Sequence, residues 1–270
     1  MPPTVTLPSD QPGIGVVLFG LECPTTAIIL QGLLGEGVSI RLVCLPGRRT
    51  IPVLKTGPRQ TLPMSSTASA PASAAEIAGA AGIELWRLGD LRSDEVETAL
   101  GEVDADLVVV ACYHQLLPER LYASRRYGGI NVHPSLLPDK RGPDPLFWVF
   151  RNGDRRAGST VHRLTGTFDA GPILDQQTLD VTDGITETEL ESRLAALGAS
   201  QLIGVITRLS SGDVEEHLQN DRRATWAPHP GDGDFRLDRT GPARQAFNFA
   251  RGIQGAGIPS RSPWKMTNRT

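Results

Sequence analysis

Asn131 and His133 stand two residues apart in the run Gly129-Ile-Asn-Val-His133, and Pro134 follows at once. Read as a strand, that spacing sends both side chains off the same face. The proline ends regular pairing just beyond them. Both polar groups then lie where a strand opens into a loop, and in a parallel sheet the crevice outside the strand C-termini is where ligands bind. An asparagine amide donates to a developing oxyanion, and a histidine exchanges a proton near neutral pH. Together they suit acyl transfer. The same residues also cap turns and satisfy buried backbone groups, and on this fragment alone that plainer role is slightly favoured.

The surrounding chain supplies the elements that must position them. Gly15 to Gly20, Ile40 to Leu45, Ile83 to Leu88 and Leu107 to Ala111 are short apolar runs of the kind that form buried strands. Between them, Pro24 to Leu34, Ala75 to Ala81 and Ser93 to Leu100 read as helices, and Pro118 to Arg125 as a short one. This alternation predicts an α/β fold: a Rossmann-like, mostly parallel twisted sheet with helices on both faces and right-handed crossovers. After Gly128 the pattern changes. Gly158 to Leu164 and Pro172 to Val181 read as two strands flanking a polar turn, Leu146 to Arg151 as a helix, and Thr186 to Leu209 as a long helix broken or relaxed near Gly198. Residues 14–212 are expected to form one catalytic domain, after a flexible lead-in at 1–13. Residues 213–270 form an irregular extension in which only Ala243 to Arg251 suggests a helix, without a complete second domain. Residues 47–75, rich in proline and ending in SSTASAPASAA, are expected to be a mobile insertion.

Composition sets outer limits. The chain has 270 residues, 39% of them hydrophobic, and a net charge of −3, which gives no global basic field for nucleic acid. Cys23, Cys44 and Cys112 are far apart in sequence and lack metal-ligand spacing, as expected of reduced thiols in a cytoplasmic protein without a bound metal. No stretch reads as a membrane span, and the N-terminal segment lacks the apolar core of a secretory signal.

A wider pattern gives the first pair its context. Asn131-x-His133-x-Ser-Leu-Leu-Pro138 is followed by Arg141-Gly142, Pro145 and Trp148, then Gly158-Ser-Thr160-x-His162, then Asp169-x-Gly171-x-Ile173. In that order these elements resemble the folate-dependent formyltransferases, a family that includes methionyl-tRNA formyltransferase, glycinamide ribonucleotide transformylase and sugar-nucleotide N-formyltransferases. The resemblance implies formyl transfer from 10-formyl-tetrahydrofolate to an amine, with no metal. It implies a catalytic trio of Asn131, His133 and Asp169, in which Asp169 orients His133 and favours its protonated form. It also places the folate against Leu116, Leu117 and Pro118, against Ser135, Leu136, Leu137 and Pro138, and beside Thr165 and Gly166. Outside the trio the readings are plainer. Arg141 either meets an anionic acceptor or braces its loop. His162, inside a strand, reads as structural, Trp148 as helix packing, and His114, His217 and His229 as surface residues.

The acceptor is less defined. The insertion carries Arg48, Arg49, Lys55 and Arg59, which suit either phosphates or solvent. Trp226-Ala-Pro and Ala250-Arg-Gly252 loosely resemble the linker after the catalytic domain of methionyl-tRNA formyltransferases. The chain stops at Thr270, before a second barrel, so length favours a small-molecule or carrier-bound amine, such as an amino sugar nucleotide, over tRNA. The alternatives to transfer are hydrolysis of the formyl-folate and folate binding without catalysis.

Overall fold

A computed structural model describes residues 13–57, 72–237 and 241–253. The expected lead-in, the centre of the insertion and the last residues of the extension therefore fall largely outside the described residues. The apolar runs form strands: β1 (Gly15–Gly20), β2 (Ser39–Pro46), β4 (Leu85–Leu88), β5 (Leu107–Ala111) and β6 (Gly129–His133). Between β2 and β4 lies β3 (Val53–Thr56), and the chain returns as β7 (Arg156–Arg163) and β8 (Ile173–Asp180). They make one eight-stranded sheet in the order β3-β4-β2-β1-β5-β6-β7-β8. The pairings from β4 through β6 are parallel, while β3–β4, β6–β7 and β7–β8 are antiparallel.

Helices begin where the sequence supplies starting signals. Pro24 opens α1 (Pro24–Gly35) and Pro145 opens α4 (Pro145–Asn152). Ser73 and Glu76 form a reciprocal capping box on α2 (Ala74–Ala80), and Ser93 caps α3 (Asp94–Gly101). Thr186 caps α5 (Glu187–Ser211), which stops at the left-handed Gly212, and α6 (Ala243–Gly252) lies in the C-terminal extension.

Strand alternation divides the core. Val16, Leu18, Val109, Ala111, Ile130, Val132 and Val161 face one way, under α1, α2 and α5. Val17, Phe19, Val108 and Val110 face the other, with Val96 and Leu100 of α3 and with Leu117 and Leu121. A third cluster joins Phe147 and Phe150 of α4 to Leu190 and Leu194 of α5 and Phe249 of α6. The α/β sheet with helices on both faces is as the sequence predicts.

Within the insertion, Val53–Thr56 is extended as β3 and finds backbone partners on β4. Three local expectations need correction. The Pro118–Arg125 helix is a single turn at Glu119–Leu121. Helix α5 is unbroken: Gly198 keeps the helix close to the sheet, where an added Cβ would lie 2.7 Å from Val132 Cγ2. With 25 residues and an 18-residue stretch of mean hydropathy 1.2, α5 is also long and apolar enough to cross a membrane, but it packs into the core through Leu190, Leu194, Leu202 and Val205.

Candidate active site

Because Ile130 and Val132 turn toward α5, their neighbours Asn131 and His133 share the opposite face of β6. The antiparallel return brings β7 alongside, pairing Asn131 with His162 and His133 with Thr160. The turn between β7 and β8 then delivers Asp169, whose φ of 54° lies in the left-handed region that aspartate tolerates better than most residues. All of these side chains are buried except Asn131, which is partly so.

Asp169 is the hub. Its Oδ1 accepts from Asn131 Nδ2 at 3.3 Å and lies 3.6 Å from both His133 Nδ1 and His162 Nε2. Its Oδ2 accepts from the backbone N–H of Gly142 at 2.8 Å. Gly142 has a φ of 111° and packs so tightly on Trp226 that a Cβ would lie 2.9 Å from the indole. Only glycine can offer its N–H there.

Neighbouring carbonyls assign the imidazole protons. His133 Nε2 lies 2.9 Å from Lys140 O, and His162 Nδ1 lies 2.8 Å from Arg163 O. A carbonyl only accepts, so each of these nitrogens carries hydrogen. With one proton on the ring, His162 Nε2 accepts from Asn131 Nδ2 at 3.0 Å. His133 Nδ1 is then a free lone pair beside a carboxylate. Burial holds the His133 pKa below its ordinary value, outweighing the opposing pull of Asp169. Asp169 does favour the imidazolium, as expected, but desolvation outweighs it. Burial alone would raise the Asp169 carboxyl, but His133, His162 and the Gly142 N–H bring it down to about 2. The resting pair is a neutral imidazole beside a carboxylate.

The proposed folate segments separate into two groups. Leu117 is buried with Val110 and Leu164 on the face that carries Asn131, while Leu116 is 38% exposed and Pro118 partly so. Among the described residues, the backbone N–H groups of Tyr113 to Leu117 enter no backbone hydrogen bond. An apolar wall beside free backbone donors fits the edge of a flat heterocycle. Ser135, Leu136, Leu137 and Pro138 are held by bonds within and beside their loop. Ser135 Oγ donates to Asp139 O at 2.7 Å, and Thr160 Oγ1 donates to Ser135 O at 2.7 Å and accepts from Leu137 N at 3.3 Å. Leu136 packs against Gly158, and Pro138 O accepts from Thr225 N. Thr165 Oγ1 donates to Thr167 O, and Gly166 lies exposed.

Two residues join the site that local sequence reading assigned elsewhere. His162 belongs to the polar cluster. Gln219, in the extension, bridges the site's loops: Nε2 donates to Asp169 O at 2.8 Å and to Gly171 O at 2.7 Å. Its Oε1 accepts from Arg141 Nε at 3.1 Å and Nη2 at 2.7 Å, and Arg141 also pairs with Asp221, so this arginine braces its loop. Trp148 Nε1 donates to Pro228 O, and His229 pairs with Asp144.

A family model described as formyl transferase matches residues 56–206. A methionyl-tRNA formyltransferase from Synechococcus sp. (strain JA-3-3Ab) is 39% identical over 191 residues, covering 67% of this chain and 59% of that protein. One from Staphylococcus aureus (strain MW2) is 35% identical over 178 residues, covering 66% and 54%. The chain thus spans less than two thirds of either curated relative. In fold it resembles a sugar N-formyltransferase from Shewanella sp FDAARGOS_354, with a TM-score of 0.61, 17% identity, and 91% and 90% of the two chains covered. It likewise resembles HypX from Aquifex aeolicus, solved in complex with tetrahydrofolic acid, with a TM-score of 0.63, 13% identity, and 91% and 35% covered. The match across more than half its length, together with the arrangement around Asp169, makes this chain a member of the formyl transferase family.

Proposed function

We propose that this chain transfers the formyl group of 10-formyl-tetrahydrofolate to a primary amine through a tetrahedral intermediate. The observation that carries the reading is the convergence of Asn131, His133 and His162 on the ionised Asp169 at one end of the sheet. The folate, when bound, supplies the formyl carbon as electrophile, and the wall at Leu116, Leu117 and Pro118 would hold its ring.

The protein's own groups do the rest. As the amine attacks, His133 Nδ1 offers the lone pair that takes its proton. The nascent imidazolium is stabilised by Asp169, 3.6 Å away. Asn131 donates to the oxyanion. Both of its Nδ2 hydrogens are engaged at rest, and the longer bond, 3.3 Å to Asp169, is the one to be released. The proton then passes from His133 to the departing nitrogen. Among acceptors, the names of the curated relatives put methionyl-tRNA first to test, with an amino sugar nucleotide second.

The test follows tetrahydrofolate release with methionyl-tRNA, with an amino sugar nucleotide and without acceptor, alongside folate binding. Asn131→Ala is expected to lower turnover roughly 10²–10³-fold and His133→Ala about 10²–10⁴-fold, with folate affinity changed far less. Asp169→Ala should match them without adding to them, since the groups serve one step. Near-normal turnover in all three variants would leave folate binding without catalysis as the better description, and release that ignores every acceptor would indicate hydrolysis.

A further inference from the structure

Cysteines that lie far apart in sequence do not all stay apart. Cys23 follows β1 and precedes α1, and Cys112 follows β5 directly. Because β1 and β5 are adjacent parallel strands, their ends meet, and the two Sγ atoms lie 3.5 Å apart. Thr26 fastens the corner: its Oγ1 donates to Ala111 O at 3.1 Å and lies 3.5 Å from Cys23 Sγ. Cys112 holds a φ of 59°, an uncommon conformation for a residue with a side chain, so its surroundings impose it. Both cysteines are partly exposed, whereas Cys44 is buried.

We propose that Cys23 and Cys112 form a redox-modification site, which a peroxide closes to an intramolecular disulfide. The two sulfurs have different roles. The hydrogen bond between the two sulfurs holds the Cys23 thiol well below its ordinary range, against the effect of burial. The same contact, with burial, pushes Cys112 up, so it stays a thiol. Cys23 also stands at the N-cap of α1, where the helix N-terminus favours a thiolate, so it is the sulfur that attacks. Its sulfur bonds to one peroxide oxygen, the O–O bond breaks, and the other oxygen leaves as hydroxide and is protonated to water. Cys112 Sγ then attacks the sulfenic sulfur. The S–S bond forms, the S–O bond breaks, and the hydroxyl leaves with the Cys112 proton as a second water. Two thiols lose two electrons and two protons, and the peroxide gains them. From 3.5 Å, reaching a bond of about 2.05 Å asks the two sulfurs to approach by about 1.5 Å.

The site does not rest on the formyl-transfer reading. It does adjoin the proposed site, because Ala111 pairs with Val132, which places Cys112 one strand away from His133.

The test treats the full chain, fully reduced, with one equivalent of hydrogen peroxide. The expected product is a monomer lighter by two hydrogens, with a Cys23–Cys112 cross-linked peptide, restored by dithiothreitol. Cys44 should remain a free thiol. Cys112→Ser should stop with one added oxygen on Cys23, trapped by dimedone, and Cys23→Ser should leave Cys112 unoxidised at that dose. Retention of all thiols by the wild type, a cross-link that forms only between chains, or one that uses Cys44 would overturn the proposal.

Discussion

Gln219→Glu separates two jobs that one side chain performs. Gln219 accepts from Arg141 on one side and donates to Asp169 O and Gly171 O on the other, at 2.8 and 2.7 Å. A glutamate keeps the Arg141 side and strengthens it, because the acceptor becomes ionised. It has nothing to donate, so two bonds of roughly 0.5–1.5 kcal/mol each are lost, and a carboxylate faces two carbonyl oxygens. The loss falls on the turn that holds Asp169 at a φ of 54°. A displacement of Asp169 on the order of 1 Å costs about 10²-fold in turnover. The variant should therefore unfold only about 1–3 kcal/mol more easily yet lose about two orders of magnitude in kcat, with KM for the folate nearly unchanged. Gln219→Ala should be less stable still, since Arg141 then keeps Asp221 alone. The assays are urea unfolding and formyl transfer under saturating folate. If Gln219→Glu works within twofold of wild type, or if kcat and folate affinity fall in step, Gln219 does not position Asp169.

Two further outcomes follow from burial and packing. His133 has its pKa lowered by burial, so between that value and about 6.5 the unfolded chain binds more protons than the folded one. Stability should be full above about 6.5 and fall as pH drops below it, by at most about 1.4 kcal/mol per pH unit. Asp169, held down to about 2, should add a second loss only below about pH 4. Urea midpoints should therefore drop between about pH 7.5 and about pH 5.5, and His133→Gln should flatten that drop; an unchanged slope would show that His133 does not cause it. Gly198→Ala places a Cβ 2.7 Å from Val132 Cγ2, a stiff side chain between Asn131 and His133. Overpacking of roughly 1–3 kcal/mol should exceed the gain of about 1 kcal/mol in helix propensity, so a more stable variant in thermal unfolding would show that the sheet yields there.

What was legible in the sequence was local. The apolar runs of β1, β2 and β5 and the caps at Ser93 and Thr186 depend on neighbours within a few residues. The shared face of Asn131 and His133 follows from period two alone. Local sequence gives His162 only a structural role, because its importance depends on register: the antiparallel pairing of β7 sets it opposite Asn131. Thr160 and His162, polar and spaced two apart within a strand, were the available signal. The strand at Val53–Thr56 is too short for a periodic pattern and exists because β4 offers an edge. Nothing local marks Gln219, whose partners lie 50 and 48 residues away.

That last separation has a consequence for the order in which the protein comes into being. In a nascent chain, the sheet and α5 leave the ribosome before Gln219 does. Until then the turn at Asp169 lacks the clasp that joins it to Arg141. A proteolytic cut just ahead of Gln219 would return a mature molecule to the same condition. Partial synthesis and partial degradation should thus converge on one species that is folded, has its polar cluster in sequence, and is idle.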